Sequence, residues 1–297
     1  ATELLTTEPG ALWSDLITGL NELGFSPRTM QSYSSFSVGG SLAVNAHGIS
    51  TDFAVCESVV RFSLIKWDGS EVVCERGASG ESGELFGLAL GGYGLFGVIA
   101  EVVLKVNANV KLSMEMLQLG VDEFPRIYAA LLADEHDDVE VKMARLNVTT
   151  LREIDLFVYR RDSPKGIRTI STLAPEPRKM GLVQQILYKW AMPSLKEARY
   201  AVERSAGTAI DAAPQSERNS LMHESAAPLA QLYSPLFLVD DTFVLQEYFV
   251  PKRQFSAWLR MAKPAFEFAA SLDQVTLLNT TVRFVHCDKT TTLSYSR

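Results

Sequence analysis

A segment rich in glycine and other small residues could hold a cofactor against the main chain. It reads Ser37-Val-Gly-Gly-Ser-Leu-Ala-Val-Asn-Ala-His-Gly48. Because Gly39 and Gly40 have no side chains, we expect their backbone N–H groups to be bare and to favour a phosphate or another electron-rich ligand. The small residues that follow would let an extended ring system lie against the backbone. A tight turn leading into a buried helix is the alternative explanation of the paired glycines.

A second segment, Glu84–Ile99, combines an apolar helix pattern with four closely spaced glycines. These glycines, at positions 91, 92, 94 and 97, interrupt what would otherwise be a helix running into a strand. They indicate either a tight chain reversal or a close ligand contact. The first segment has neither the G-x-G-x-x-G spacing after a strand nor the G-K-[ST] ending. A nicotinamide dehydrogenase and a P-loop protein are therefore not supported.

The glycine distribution divides the chain into two parts. Of the 19 glycines, 15 lie in residues 1–97, which predicts a loop-rich first part that cradles a ligand. We place the boundary near residue 108, giving units 1–108 and 109–297. The first unit should contain a helix over 11–23, with Gly24 ending it, and a hairpin of strands 59–66 and 71–74 around Asp68-Gly69.

The second unit alternates helix and strand patterns. We predict helices near 123–133, 181–192, 195–205 and 254–270, and strands near 139–148, 154–160, 244–250 and 275–285. This mixture suits an antiparallel sheet with helices on one face.

Composition excludes several classes of function. The net charge of −7 argues against a nucleic-acid partner, because phosphate backbones are bound through clustered Lys and Arg. The 3 cysteines have no metal-ligand spacing, so we expect no metal site and no disulfide framework. No run of 18 apolar residues predicts a transmembrane segment, and the first residues are unlike a signal peptide. We therefore favour the cytoplasm or an organellar matrix over secretion.

Together and in this order, the segments resemble the FAD-linked oxidoreductases of the vanillyl-alcohol oxidase and p-cresol methylhydroxylase superfamily. The resemblance rests on Pro9-Gly10, Ser37–Gly48 and Glu84–Ile99, and extends to Gln246–Pro251 and Val282–Phe284. The pattern is most similar to the sugar-oxidising branch: aldonolactone oxidases, alditol oxidase and decaprenylphosphoryl-ribose oxidase. It implies an α+β fold, in which part of an FAD-binding domain precedes a substrate domain whose antiparallel sheet is covered by helices.

The resemblance also implies which residues contact FAD. One set would line the flavin and its diphosphate, and a second would follow the ribityl chain and the ring, while the strand after the glycine turn would touch the adenine end or ribose. The predicted FAD contacts are Ser32, Ser37, Val38, Gly39, Gly40, Val44, Asn45, Ala46, His47, Gly48, Val98 and Ile99.

For the substrate, the resemblance implies a hydride transfer from a C–OH carbon to the flavin. Relatives carry a carboxylate and an arginine on a strand reading E-V-R-F, and the matching residues here are Thr281 and Arg283. Threonine cannot act as the base, so Arg283 is the stronger catalytic candidate. Gln246 and Tyr248 match substrate-contacting positions of the ribose-oxidising relative. A polar rim on an exposed sheet face is the alternative explanation of all four residues.

The partners expected from this resemblance are a small-molecule substrate and an electron acceptor that the sequence does not identify. The glycine-rich loop that wraps the pyrophosphate in relatives has no counterpart in the chain. We therefore expect the missing part of the same fold, or a partner chain, to be needed to hold FAD firmly. This departure, together with Thr281, leaves open a non-catalytic scaffold or assembly subunit that retains the flavoprotein fold.

Overall fold

The computed structural model describes residues 3–49, 52–133, 138–164, 166–174, 215–224, 243–271 and 277–296, and residues 181, 182, 197, 198, 201 and 226 between them. The strands are β1 (Leu4–Thr7), β2 (Phe25–Pro27), β3 (Val59–Ile65), β4 (Glu71–Glu75), β5 (Val98–Ala108), β6 (Lys111–Gly120), β7 (Val139–Leu146), β8 (Glu153–Arg161), β9 (Gln215–Glu217) and β10 (Thr281–Val282). The helices are α1 (Trp13–Glu22), α2 (Val38–Ala43), α3 (Gly80–Ala89), α4 (Phe124–Ala133), α5 (Arg218–Glu224) and α6 (Phe255–Ser271).

These strands form two antiparallel sheets. The first has the order β1-β5-β3-β4, with β2 also paired to β5, and the second has the order β10-β7-β8-β6-β9. Helices α4 and α6 cover one face of the second sheet, where Phe124, Tyr128 and Leu259 pack against Leu156 and Val158. The predicted α+β class, with an antiparallel sheet covered by helices, is thus confirmed.

Helix α1 forms where the spacing of Leu12, Leu16, Leu20 and Leu23 predicts it. Leu16 and Leu20 are buried as predicted, whereas Leu12 and Leu23, at the two ends of the stripe, are 37% and 66% exposed. Trp13, at the start of the helix, is also buried, and its indole Nε1–H donates a hydrogen bond to Ser41 Oγ at 2.8 Å. This bond joins α1 to the cofactor segment predicted from the sequence.

The predicted hairpin at Asp68-Gly69 is confirmed. Strands β3 and β4 pair from Arg61–Glu75 to Ile65–Glu71. Gly69 has φ +81°, a conformation that glycine adopts without strain, and the Asp68 carboxylate accepts a hydrogen bond from the Ser70 N–H at 2.9 Å.

Two predicted strands of the second unit are wrong in extent. The strand predicted over 244–250 does not form, since residues 243–250 contain no strand. The strand predicted over 275–285 is reduced to β10, which pairs with β7 through Thr281–Arg145 and Val282–Ala144. Residues 272–276 and most of the predicted helices at 181–192 and 195–205 lie outside the described residues.

The C-terminal segment returns to the first sheet. Val285 and Tyr295 pack against the core formed by Trp13, Leu42 and Val55. Gly87 of α3 accepts a hydrogen bond from the Thr292 N–H at 2.8 Å. The division of the chain at residue 108 stays a prediction. The first core contains side chains from both the early and the late residues of the sequence.

Among the described residues, no helix combines the length and apolar character that crossing a membrane requires.

Candidate functional site

Helix α2 occupies the first half of the glycine segment, and its amides are not bare. Ser37 caps the helix, with its Oγ accepting a hydrogen bond from the Gly40 N–H at 3.2 Å. The Gly39 N–H donates to the Pro9 carbonyl at 2.8 Å. The expectation of free amides at Gly39 and Gly40 is therefore wrong, because the first turn of a helix satisfies its orphan N–H groups within the protein where it can.

The absence of a side chain at Gly39 serves packing. A Cβ atom there would lie 2.7 Å from the Pro9 Cβ, closer than real Cβ atoms approach. Val38, between Ser37 and Gly39, is fully buried in the first core. Among residues 37–40, which are all predicted FAD contacts, only Gly40 is exposed.

Helix α2 ends in a left-handed residue, Asn45. Asn45 has φ +48°, the Ala46 N–H donates to the Ser41 carbonyl at 2.9 Å, and the Asn45 N–H donates to the Leu42 carbonyl at 3.0 Å. This pair of hydrogen bonds is the Schellman arrangement, in which asparagine replaces the more common glycine. The turn leaves Val44 exposed and directs the Asn45 side chain into the protein, where the residue is 1% exposed.

The Asn45 side chain links three distant parts of the chain. Its Oδ1 accepts a hydrogen bond from the Cys56 N–H at 3.0 Å, and its Nδ2 donates to Asp288 Oδ2 at 3.0 Å. The Tyr295 hydroxyl donates to the Asn45 carbonyl at 2.9 Å. These protein partners occupy the amide group of a residue that we predicted to contact FAD.

Asp288 holds the other end of this link. Burial of its carboxyl group raises the pKa, but hydrogen bonds from the Thr291 hydroxyl and from the Thr290 and Thr291 amides outweigh it, so the pKa lies below its usual value. The group is thus ionised at neutral pH and fixes the turn at residues 288–291.

The two glycine segments lie against each other. The Gly91 N–H donates to the Leu42 carbonyl at 3.0 Å, and the Tyr93 N–H donates to the Ala43 carbonyl at 2.9 Å. Gly91 and Gly94 both have φ +77°, so the turn needs glycine there. The two glycine segments are therefore joined by backbone hydrogen bonds.

The joined segments leave apolar side chains exposed. Val44 is 41% exposed, Tyr93 73% and Leu95 78%. Tyr93 adopts φ +54°, an uncommon conformation for a residue with a large side chain. Exposed apolar side chains close together are typical of a surface that contacts another group.

The remaining predicted FAD residues have different surroundings. Gly48 is needed for packing, because a Cβ there would lie 1.8 Å from the Met30 carbonyl oxygen. Val98 is 68% exposed at the start of β5, whereas Ile99 packs against the first core. Ser32 lies half-buried in the loop between β2 and α2.

His47 lies against the segment 243–250. Its Nε2 is 3.3 Å from Glu247 Oε1, and the two side chains are 22% and 53% exposed. Its Nδ1 is buried and has no hydrogen-bond partner among the described residues. The hydrogen bond from His47 lowers the pKa of Glu247; burial opposes this, and the charges of His47 and Arg283 contribute to it.

The predicted catalytic residues are only partly brought together. Arg283 is half-buried and close enough for its charge to affect Glu247, whereas Thr281 is exposed in β10. Gln246 is exposed, and the Tyr248 ring packs on Trp258 of α6 with centroids 5.2 Å apart. The residue of this segment that reaches the cofactor segment is thus Glu247, which lies between the two predicted ones.

Sequence reasoning also missed a buried polar cluster formed by Lys142 of β7, Tyr128 of α4 and Asp52. Lys142 Nζ lies 2.7 Å from Asp52 Oδ2, with side chains only 9% and 13% exposed. The Tyr128 hydroxyl donates to Asp52 Oδ1 at 3.2 Å, and burial followed by the Asp52 charge raises the pKa of Tyr128. No motif contains these residues, so only the packing of α4 and β7 on the loop at Asp52 reveals them.

Within the described residues, one group has donor atoms close enough for a metal: Cys56, Glu57 and Asp288, within 4.8 Å of one another. Its donors are poorly suited to the role. Burial raises the pKa of the Cys56 thiol, and the Asp288 carboxylate already accepts hydrogen bonds from Asn45, Thr290 and Thr291. This geometry does not favour a metal centre.

Comparison with known proteins agrees with the predicted fold. Residues 1–75 match the family model described as an FAD binding domain. A histidine-to-alanine variant of cholesterol oxidase from Brevibacterium sterolicum has a similar structure, with a TM-score of 0.57 and 13% sequence identity. The alignment covers 95% of this chain and 56% of that one, so the chain spans little more than half of the similar protein.

The structural similarity shows the fold, and the family model accounts for the first part of the chain. The chain therefore has the α+β fold of the p-cresol methylhydroxylase type, and the FAD binding domain that matches residues 1–75 indicates FAD as the cofactor.

Proposed function

We propose that the protein is an FAD-dependent oxidoreductase that oxidises a C–OH group of a sugar, polyol or aldonolactone-like substrate. The observation that carries this proposal is the contact between the two glycine segments, made by the Gly91 and Tyr93 amides with the end of α2. Beside this contact lie His47, Glu247 and Arg283, three groups suited to binding a hydroxylated molecule.

The residues that would hold the cofactor divide into two kinds. Val44 and Val98 offer exposed side chains, and Gly40 offers exposed backbone. Ser37, Gly39 and Asn45 would act indirectly, since their hydrogen bonds shape the ends of α2. We do not assign the diphosphate to the Gly39 and Gly40 amides, because both donate to protein atoms.

When bound, FAD supplies a two-electron acceptor for a hydride from the carbinol carbon. Arg283 would bind the substrate oxygen or steady negative charge beside it, because guanidinium remains protonated at all working pH values. Thr281 has no acid–base role at neutral pH. Gln246 and Tyr248 remain proposed substrate contacts from the exposed side of the segment 243–250.

The remaining partners of this activity are proposals as well. A small hydroxylated molecule donates the hydride, and a separate electron acceptor returns the flavin to its oxidised form. Because the chain spans 56% of the similar cholesterol oxidase, further sequence of the same fold or a partner chain would complete the FAD site. We propose the cytoplasm or an organellar matrix as the compartment.

Reconstitution with FAD tests the proposal. The full-length protein should retain a flavin absorption spectrum after gel filtration and should be bleached by at least one alditol or aldonolactone under anaerobic conditions. Arg283→Ala should slow bleaching by about 10²-fold or more, because it removes charge stabilisation at the reacting oxygen. Absence of flavin absorption in the native and denatured protein would contradict the proposal.

Two observations favour a second function, a non-catalytic subunit with the same fold. The Gly39 and Gly40 amides are used inside the protein, and Thr281 lacks a carboxylate. A protein that binds no FAD, yet forms a stable complex in both its natural and Arg283→Ala forms, would support this alternative.

A further inference from the structure

We propose that Glu247, held by His47, is the carboxylate that receives the hydroxyl proton of the substrate. This inference rests on the proposed oxidation of a C–OH group and names a residue for it. The sequence resemblance placed an acid at the position of Thr281, where none exists. The structure instead brings the carboxylate of Glu247 to His47, close enough to Arg283 for its charge to act on Glu247.

The geometry of the pair supports these separate roles. His47 Nε2 lies 3.3 Å from Glu247 Oε1, and its Nδ1 is enclosed by protein. The imidazole therefore directs its exposed edge to Glu247 rather than to a ligand. Glu247 is more than half exposed, so its carboxylate remains open to a bound molecule. His47 is thus a positioning residue, and Glu247 is the group that would touch the substrate.

Aromatic side chains hold both partners in place. Tyr295 lies edge-on to His47 with centroids 6.0 Å apart and packs on Phe249, two residues after Glu247, with centroids 4.6 Å apart. The Tyr295 hydroxyl in turn donates to the Asn45 carbonyl. The same tyrosine therefore connects the end of α2 with the segment that carries Glu247.

The charges around Glu247 suit a proton acceptor for this reaction. The hydrogen bond from His47 lowers the pKa of Glu247, with the Arg283 charge adding to the effect, so the carboxylate is ionised at neutral pH. A carboxylate of low pKa is a weak base for an alcohol at rest. During hydride loss, however, the alcohol becomes a protonated carbonyl, whose proton is strongly acidic, and a weak base then suffices.

In this reaction the carbinol C–H bond breaks and the carbon loses a hydride, for which bound FAD would be the two-electron acceptor. The O–H bond breaks heterolytically, its proton passes to a Glu247 carboxylate oxygen, and the C–O bond becomes a carbonyl. Arg283 can stabilise the oxygen while both bonds change. Among the described residues, further titratable groups around Tyr295 are Tyr93, Cys56 and Asp288.

The first test measures flavin reduction. With the FAD-loaded protein and the alditol or aldonolactone that bleaches it fastest, we expect Glu247→Gln to lower the reduction rate constant by about 10²- to 10⁴-fold. Glu247→Asp should recover part of the rate, and the Kd for FAD should change by less than about threefold because no contact with FAD is lost. Glu267→Gln, an exposed substitution of the same type on α6, is the matched control and should leave the rate unchanged.

The second test measures whether the contact with His47 lowers the pKa of Glu247, and it requires no substrate. Carbon-13 NMR of glutamate carboxyl groups should show a Glu247 resonance that titrates below the ordinary range, identified by its loss in Glu247→Gln. In His47→Gln the pKa of Glu247 should rise. An unchanged titration would overturn the positioning role of His47.

The outcomes separate this inference from the proposed function. Bleaching of Glu247→Gln at the natural rate would overturn the role of Glu247 and leave the flavoprotein proposal intact. Failure of the natural protein to be bleached by any alditol or aldonolactone would overturn both.

Discussion

Replacement of Asn45 provides the sharpest test of how the cofactor segment is built. In Asn45→Ala, the buried Cys56 N–H loses the acceptor that lies 3.0 Å away, and Asp288 loses a donor at 3.0 Å. An unsatisfied buried amide costs about 1–3 kcal/mol. Alanine at φ +48° adds about 1 kcal/mol, because its Cβ disfavours the left-handed region that asparagine tolerates.

The expected loss in the free energy of unfolding is therefore about 2–4 kcal/mol for Asn45→Ala, from the sum of these two contributions. Asn45→Gly removes the same hydrogen bonds but adopts the left-handed conformation readily. The greater freedom of glycine in the unfolded chain offsets part of this advantage, so we expect Asn45→Gly to be more stable than Asn45→Ala by about 0.5–1 kcal/mol.

Urea denaturation followed by near-ultraviolet circular dichroism measures both variants. A lower midpoint with an unchanged m-value would show that stability has changed rather than the surface exposed on unfolding. If Asn45→Ala lost less than about 1 kcal/mol, the buried amide contacts could not have the strength assumed here. If alanine proved more stable than glycine, the backbone argument would be refuted.

Three further perturbations follow from the structure. Lys142→Met leaves the Asp52 carboxylate buried without its 2.7 Å partner, and should destabilise the protein by about 3–5 kcal/mol in thermal unfolding. Gly48→Ala places a Cβ 1.8 Å from the Met30 carbonyl oxygen, and should cost at least about 3 kcal/mol or prevent folding. The pKa of Asp288 is lowered in the folded protein, so its carboxylate contributes its full stability above pH 3.8, the ordinary pKa. That contribution is lost as the pH falls through the lower pKa of the folded state. Asp288→Asn should therefore flatten the dependence of stability on pH in this acidic range.

Matched substitutions control these measurements. Gly10→Ala meets no atom within 4 Å and should change stability by less than about 0.5 kcal/mol. If Gly48→Ala were equally mild, the close approach to the Met30 carbonyl would be wrong. If Lys142→Met were as stable as the natural protein, other groups would have to stabilise the buried Asp52 carboxylate. If stability depended on pH in the same way in Asp288→Asn as in the natural protein, Asp288 would be excluded as the titrating group.

The sequence by itself determined the local architecture. Leucine spacing gave the position of α1, Asp68-Gly69 gave the hairpin turn, and the glycine pattern identified the two segments that meet at Gly91. These features depend on hydrogen bonds and apolar periodicity within a few residues, which the order of residues specifies. The FAD-binding fold followed from the same segments.

Tertiary structure alone decided which groups are free and which face the site. The Gly39 N–H is taken by Pro9, and the Asn45 amide by Asp288, 243 residues away. Glu247 rather than its neighbours reaches His47, and the segment 243–250 contains no strand although its sequence predicts one. Contacts between residues so far apart depend on how the two sheets pack, which no local pattern encodes.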